Sequence, residues 1–322
     1  MMMKTKLLAA LCAAAIPMLT LAAYPERPVR VIVPFAAGQG SDIATRIVMN
    51  EAAKKLGESV VVDNRPGGSA MVAIQAVQHA APDGYSILGL SSSFLSNGKL
   101  QKEPLPYDLN RDFTPILRTV DSAVVLVANT KLPVKTLADV LEMAKRMPSG
   151  LPMGSAGVAT TMHLSLEVLK ARSGAPLIHV PYKGDPPALT DVIGGALPFT
   201  FSGFAAALPH IRSGAVRPIA VTTDRRIEVL PDVPTIAESG FPGFEFIGWI
   251  GYFVPAGTPT PVVDKLYQVL RATVEDASLK AKMADLGMFV SRNQKPVDFK
   301  TYVNESQQKI EDAIKSANIS AN

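Results

Sequence analysis

Val29-Arg30-Val31-Ile32-Val33-Pro34-Phe35-Ala36-Ala37-Gly38-Gln39-Gly40-Ser41-Asp42 decides the fold. It begins as an apolar, β-rich run, breaks at Pro34 and opens into a loop of small residues. After Ser41 the period changes, with Ile43, Ile47 and Val48 recurring at helical spacing. Strand, loop and helix N-terminus in that order suit an anion, because free N–H groups and the positive end of the helix dipole converge there. Gly38 and Gly40 accept backbone angles that other residues resist. The stretch reads equally well as a plain βα turn with Ser41 or Asp42 as N-cap.

Working outward, short apolar runs alternate with amphipathic helices. Strands are expected at 29–33, 60–62 and 86–90, with helices at 42–56 and 70–80 between them. Asn64-Arg65-Pro66-Gly67-Gly68 and Pro82-Asp83-Gly84 supply the turns. This β-α-β-α-β order predicts a parallel sheet carrying helices on its faces. Ligands of such sheets lie beyond the C-terminal ends of the strands, where the 34–41 loop is. An extended stretch over 113–128, interrupted near Asp121-Ser122, is long enough to pass from one domain to another. A helix over 135–146 follows, with Thr136 as its cap.

A second series then repeats the design. Strands are expected at 151–153, 177–180, 198–201 and 216–221, and helices at 161–172, 188–194 and 205–212. Its first loop, Gly154-Ser155-Ala156-Gly157-Val158-Ala159-Thr160-Thr161, again has two glycines and then hydroxyls that cap a helix. Two such loops, one per half, are what a cleft between two α/β domains needs. The aromatic run 244–254 reads as the return crossing, and helices at 261–276, 279–286 and 296–316 finish the chain.

Composition narrows the function. Lys4 and Lys6 precede an apolar run from Leu7 to Ala23, the layout of a secretory leader over residues 1–23. The only cysteine, Cys12, falls inside that leader, so the mature chain is expected to hold no disulfide. Without Lys4 and Lys6, 30 basic residues face 28 acidic ones, and the net charge of +4 becomes +2. No basic run marks a nucleic-acid surface. Gly38-Gln39-Gly40 lacks the third glycine of a dinucleotide fingerprint, since Ile43 stands there, and no P-loop is present. Cofactors and resident metals are therefore not expected. None of the four histidines, His79, His163, His179 and His210, is read as paired with a His, Cys or Glu at ligand spacing.

Individual side chains carry two readings each. Ser155, Asp191 and His210 stand in the order of a hydrolase triad, but Met153 replaces the first glycine of a nucleophile elbow. His79, near a helix C-terminus, suits the dipole, whereas His163, in the first turn after the second loop, either faces the cleft or packs behind it. Arg65 either clamps a carboxylate or holds its own loop. Tyr182 either walls the cleft or packs, and Lys183 is a turn residue. Trp249 and Tyr252 are expected to pack between the domains.

In order along the chain, these residues resemble one family, the Bug-type periplasmic solute-binding receptors of tripartite tricarboxylate transporters. The resemblance rests on Tyr24-Pro25 with Pro28, the Val33-Pro34-Phe35 loop with Gly38, Gly40 and Asp42, and Asn64-Arg65-Pro66-Gly67. It continues through Ala81-Pro82-Asp83-Gly84-Tyr85, Leu105-Pro106-Tyr107-Asp108 and His179-Val180-Pro181-Tyr182-Lys183-Gly184. Ala207-Leu208-Pro209-His210-Ile211, Leu230-Pro231-Asp232-Val233-Pro234-Thr235 and Pro255-Ala256-Gly257-Thr258-Pro259 complete it.

The resemblance implies an α/β fold like that of type II periplasmic binding proteins, with a ligand cleft between two domains. Their expected extents are 24–124 with 247–322, and 125–246. It implies a non-enzymatic, monomeric, periplasmic receptor that takes a mono-, di- or tricarboxylate and delivers it to the membrane permease subunits of the transporter. An exported serine hydrolase and a sensory receptor using the same cleft remain as alternatives. Carried over, the ligand carboxylate is held by main-chain N–H groups and waters of two loops. The first comprises Phe35, Ala36, Ala37, Gly38, Gln39, Gly40, Ser41 and Asp42. The second comprises Ser155, Ala156, Thr160 and Thr161. Ser91, Ser92, Phe94, His163, Tyr182, Ser202 and Gly203 meet the far end of the ligand. A hinge is expected near 121–128 and 244–250. Two departures from the family pattern stand out. Gln39 replaces the second glycine of a pair, so Gln39→Gly is expected to alter ligand preference more than stability. Ser202-Gly203 replaces an acidic residue, which predicts weaker selection for an ammonium group and easier acceptance of a second carboxylate or an aromatic ring.

Overall fold

The computed structural model describes residues 24–35, 37–38, 40–67, 70–95, 105–158, 160–292 and 295–316. The expected leader and the Gln39 substitution lie outside the described residues. Among the described residues, no helix is long and apolar enough to cross a membrane.

Two sheets organise the chain. Across the first lie residues 288–290, 113–122, 248–255, 86–91, 29–33 and 60–64 in that order, and across the second 177–181, 151–155, 199–203, 124–129 and 216–221. In the first sheet β1 (Val29–Val33), β2 (Val60–Asn64) and β3 (Ser86–Ser91) are parallel. The connecting helices are α1 (Gly40–Leu56) and α2 (Met71–Gln78). The other half of this sheet is antiparallel: β4 (Phe113–Ser122), β10 (Gly248–Pro255) and β11 (Met288–Val290). The parallel order expected of the first three strands holds, and the crossing strands β4 and β10, with β11, add an antiparallel half. The three-residue β11 is too short to show periodicity.

Alternation in β1 sets up the core. Val29, Val31 and Val33 face α1, where Ala44, Val48 and Met49 pack with α8 (Thr260–Val274) and α9 (Ala277–Asp285). Ile32 points the other way, into a cluster with Ile74, Leu88, Phe253 and Phe299 of α10 (Pro296–Ser316). A short helix, α3 (Leu109–Asp112), is capped by Asp108 before β4 begins.

The second sheet follows the same logic. β5 (Val124–Asn129) is buried at every position and antiparallel to its neighbours β8 (Phe199–Gly203) and β9 (Val216–Val221). β6 (Leu151–Ser155) lies parallel to β7 (Leu177–Pro181) and to β8. Helices α4 (Leu137–Lys145), α5 (Thr161–Ser173), α6 (Asp185–Gly194) and α7 (Phe204–Arg212) cover its faces. Thr136 and Asp139 close α4 with a reciprocal capping box. Helix α6 starts at Asp185 rather than near Ala188, since Pro186 and Pro187 fit a first turn whose N–H groups need no partner.

Register places the cleft. The parallel strands β1, β2 and β3 all end on one edge, where β4 also ends and β10 starts: Gly248 pairs with Ser122, and Ile250 with Ser91. β5 then enters the second sheet on the edge where β8 ends, Val124 opposite Gly203. The chain thus crosses between the sheets at 122–124 and returns at 246–248, with Phe246 still bonded to Thr222. Both crossings join the edges that carry the strand-to-helix loops.

Candidate functional site

The first loop is held by a buried carboxylate. Gly38 has φ +81°, the left-handed region, which turns its N–H back toward α1. Asp42, 1% exposed, accepts that N–H at 2.9 Å. Its carboxylate also accepts Asn64 Nδ2 at 2.7 Å and Arg46 Nε at 3.1 Å. Asn64 Nδ2 bonds Phe35 O at 3.0 Å, and Arg46 Nη2 bonds Asn64 Oδ1 at 2.6 Å. Burial alone would raise the Asp42 carboxyl, but the hydrogen bonds from Asn64, Gly38 and Arg46 outweigh it and hold it below its usual value. Gly40 is not at positive φ, and α1 begins there, so Ser41 and Asp42 sit inside the first turn instead of capping it. Phe35 is buried against Phe94, with ring centroids 6.0 Å apart. Ala37 and Gly38 belong to the described loop, whereas Ala36 and Gln39 lie outside it.

The second loop is held by neutral groups. Ser155 Oγ lies 2.6 Å from His179 Nε2 and accepts the Gly157 N–H at 3.1 Å. Gly157, at φ +128°, is the left-handed glycine here. Thr160 Oγ1 donates to Gly157 O at 2.7 Å and caps α5 by accepting the His163 N–H. Behind the loop the His163 and His179 rings stack, 4.0 Å apart at 18°. Burial lowers the pKa of both imidazoles to about 4. Ala156 O and Ser155 O accept the Gly184 and Tyr182 N–H groups, which ties the β7 turn to this loop.

His163, Glu167 and His179 correct the expectation that no histidine has a His or Glu partner. Their donor atoms lie within 4.8 Å of one another. The i,i+4 spacing of His163 and Glu167 was a legible signal, whereas His179 joins only through the fold. His163 Nε2 stands 3.9 Å from Glu167 Oε1, the same carboxylate meets Lys170 Nζ at 3.4 Å, and His179 Nε2 is engaged by Ser155.

Ser91 Oγ and Ser93 Oγ are 2.8 Å apart, and Ser92 N bonds Trp249 O. Ser92 and Thr161, from opposite sheets, line one pocket with Leu164, Phe246, Trp249 and Tyr302. Tyr182 turns its hydroxyl onto Asp191 at 2.6 Å. Asp191 is thereby engaged, and the imidazole beside buried Ser155 is His179, not His210, so the three residues do not form a triad. Arg65 pairs with Asp63 and His79 bonds Gln75 O. Trp249 packs edge-on to Phe299 and Tyr302.

Ser202 is buried and Gly203 closes β8, but the acidic group missing from this position arrives from elsewhere. Asp185 Oδ1 accepts the Gly203 N–H at 3.0 Å. Burial raises its carboxyl, partly offset by the bonds from Gly203 and Ser202. The premise that this corner lacks a carboxylate is overturned. The sequence offered no signal beyond a lone acid before two prolines.

A family profile described as "Tripartite tricarboxylate transporter family receptor" matches residues 44–319. The solved structure of the periplasmic binding protein BugD is 34% identical, with a TM-score of 0.75 over 93% of this chain and 100% of that one. Rpa4515 of R. palustris, solved with adipate, is 32% identical, with a TM-score of 0.77 over 92% and 99% of the two chains. MatC (Rpa3494) of Rhodopseudomonas palustris, solved with bound malate, is 31% identical, with a TM-score of 0.74 over 90% and 100%.

Proposed function

The chain belongs to the tripartite tricarboxylate transporter receptor family, a family of solute-binding proteins, and from that premise we propose how it works. It is a periplasmic, monomeric receptor, exported by residues 1–23, that captures a small organic carboxylate. One lobe comprises 24–124 and 247–322, and the other 125–246. The ligand carboxylate sits between the loop from Phe35 to Asp42 and the loop from Ser155 to Thr161. It is held by main-chain N–H groups and the positive ends of α1 and α5. Ser91, Ser92, Tyr182, Ser202 and Gly203 surround its far end, while Asp42, Ser155 and His163 hold the loops from behind.

The observation that carries this reading is the register. Both crossings join the two loop-bearing edges, and each loop has a left-handed glycine followed by a helix N-terminus. Binding shifts a hinge at the crossings toward a closed form, which the permease subunits recognise. The relatives solved with adipate and malate fit a carboxylate as the ligand class. A thermal-shift screen over mono-, di- and tricarboxylates tests it, since a ligand at a hundred times its Kd raises apparent stability by about 2.7 kcal/mol. A flat response across all three classes rejects the reading. Small-angle scattering that shows no compaction with a tight ligand rejects the hinge.

A further inference from the structure

Three helices of the second sheet, α5, α6 and α7, start on the edge that faces the cleft, after β6, β7 and β8. Thr160, a neutral side chain, caps α5. At the head of α7 the protein's own carboxylate is already in place. Asp185 Oδ1 accepts the N–H of Gly203, the residue that precedes α7, at 3.0 Å. The Ser202 hydroxyl supports the same carboxylate. Gly203 makes room for it: a Cβ at that position would lie 3.1 Å from Asp185 Oδ2 and 3.2 Å from Met162 Cε. Among the described residues no ion pair joins Asp185 to a basic side chain, so among them its carboxylate has hydrogen-bond donors but no counter-ion.

We propose that Asp185 sets the end-group this receptor accepts, turning away a second carboxylate at the Ser202–Gly203 side of the cleft and admitting a neutral or cationic one. The donor that a distal carboxylate would use is occupied, and two carboxylates on one site cannot both ionise without mutual cost. An ammonium or hydroxyl donor, by contrast, meets an acceptor that has no charged partner among the described residues. The ligand class is a monocarboxylate, ω-amino or ω-hydroxy substituted or plain, and not a dicarboxylate. This inference rests on the carboxylate-receptor reading above.

Matched ligand sets test it by calorimetry on the mature protein: adipate, hexanoate and 6-aminohexanoate, with the corresponding four- and five-carbon sets. The wild type is expected to bind the plain and amino acids about tenfold or more tighter than the diacid of equal length. Asp185→Asn keeps an acceptor for the Gly203 N–H while losing the charge. It is expected to raise diacid affinity about tenfold and to weaken the amino ligand. Asp185→Ser repeats the measurement with a different shape, and melting curves check that both variants fold. Equal wild-type affinity for diacid and monoacid, or an unchanged ratio in both folded variants, overturns the role of Asp185 and leaves the receptor reading intact. If no carboxylate binds either protein, the receptor reading itself falls and takes this inference with it.

Discussion

The two loops look alike in sequence and are built from different chemistry. The 34–42 loop hangs on a buried ion: Asp42 gathers Gly38, Asn64 and Arg46. The 155–161 loop hangs on neutral groups: Ser155, Thr160 and an uncharged pair of stacked imidazoles. One shape, a left-handed glycine ahead of a helix, thus has two kinds of support. A charged support is strong only while every partner is present. A neutral one fails in smaller steps but is exposed to acid through its histidines.

The largest expected difference follows from removing the ion. Asp42→Ala strands the Gly38 N–H and the Asn64 and Arg46 side chains, and should cost about 2–4 kcal/mol in urea unfolding. Carboxylate affinity should fall far more than tenfold in calorimetry, because the loop loses its shape. A variant that bound normally would show that the first loop does not need its ion.

Acid should separate the two loops next. His163 and His179 have pKa values lowered to about 4 from 6.5. The unfolded chain therefore takes up protons below pH 6.5 that the folded chain refuses, and stability falls as pH drops from 6.5 to 4. With allowance for solvent screening the loss should total about 2–4 kcal/mol. The Asp42 carboxyl is held low, so its contribution persists above its ordinary value of 3.8 and is lost only as pH falls through the lower folded value. Denaturation curves at successive pH values should show a shallower fall between 6.5 and 4 for His163→Gln with His179→Asn. An identical slope would remove the acid distinction.

Smaller effects belong to single hydroxyls. Ser155→Ala takes the partner from His179 and the acceptor from the Gly157 N–H, and should cost about 1–2 kcal/mol with a several-fold loss of affinity. Thr160→Ala removes only the α5 cap, for about 1 kcal/mol. Should Ser155→Ala prove as damaging as Asp42→Ala, the contrast between charged and neutral support would collapse.

The sequence by itself determined the strands and helices around both loops. Val29–Val33 is an apolar, β-rich run broken only by Arg30, and a switch from β to helical period needs no distant partner to be visible. It also marked Gly38 with Gly40, and Gly154 with Gly157, but only the fold showed that Gly38 and Gly157 are the ones at positive φ. Tertiary structure alone decided what stands behind those loops. Asn64 reaches Asp42 across 22 positions, His179 reaches Ser155 across 24, and Asp185 reaches Gly203 across 18. Only Ser155 and His179 stand on neighbouring strands; the other two pairs join a helix start to a strand end, and all three depend on the strand order of the sheets, not on any spacing along the chain. The same reason explains the misjudged corner at Ser202-Gly203, where a missing acid read from one strand was supplied by the helix after another.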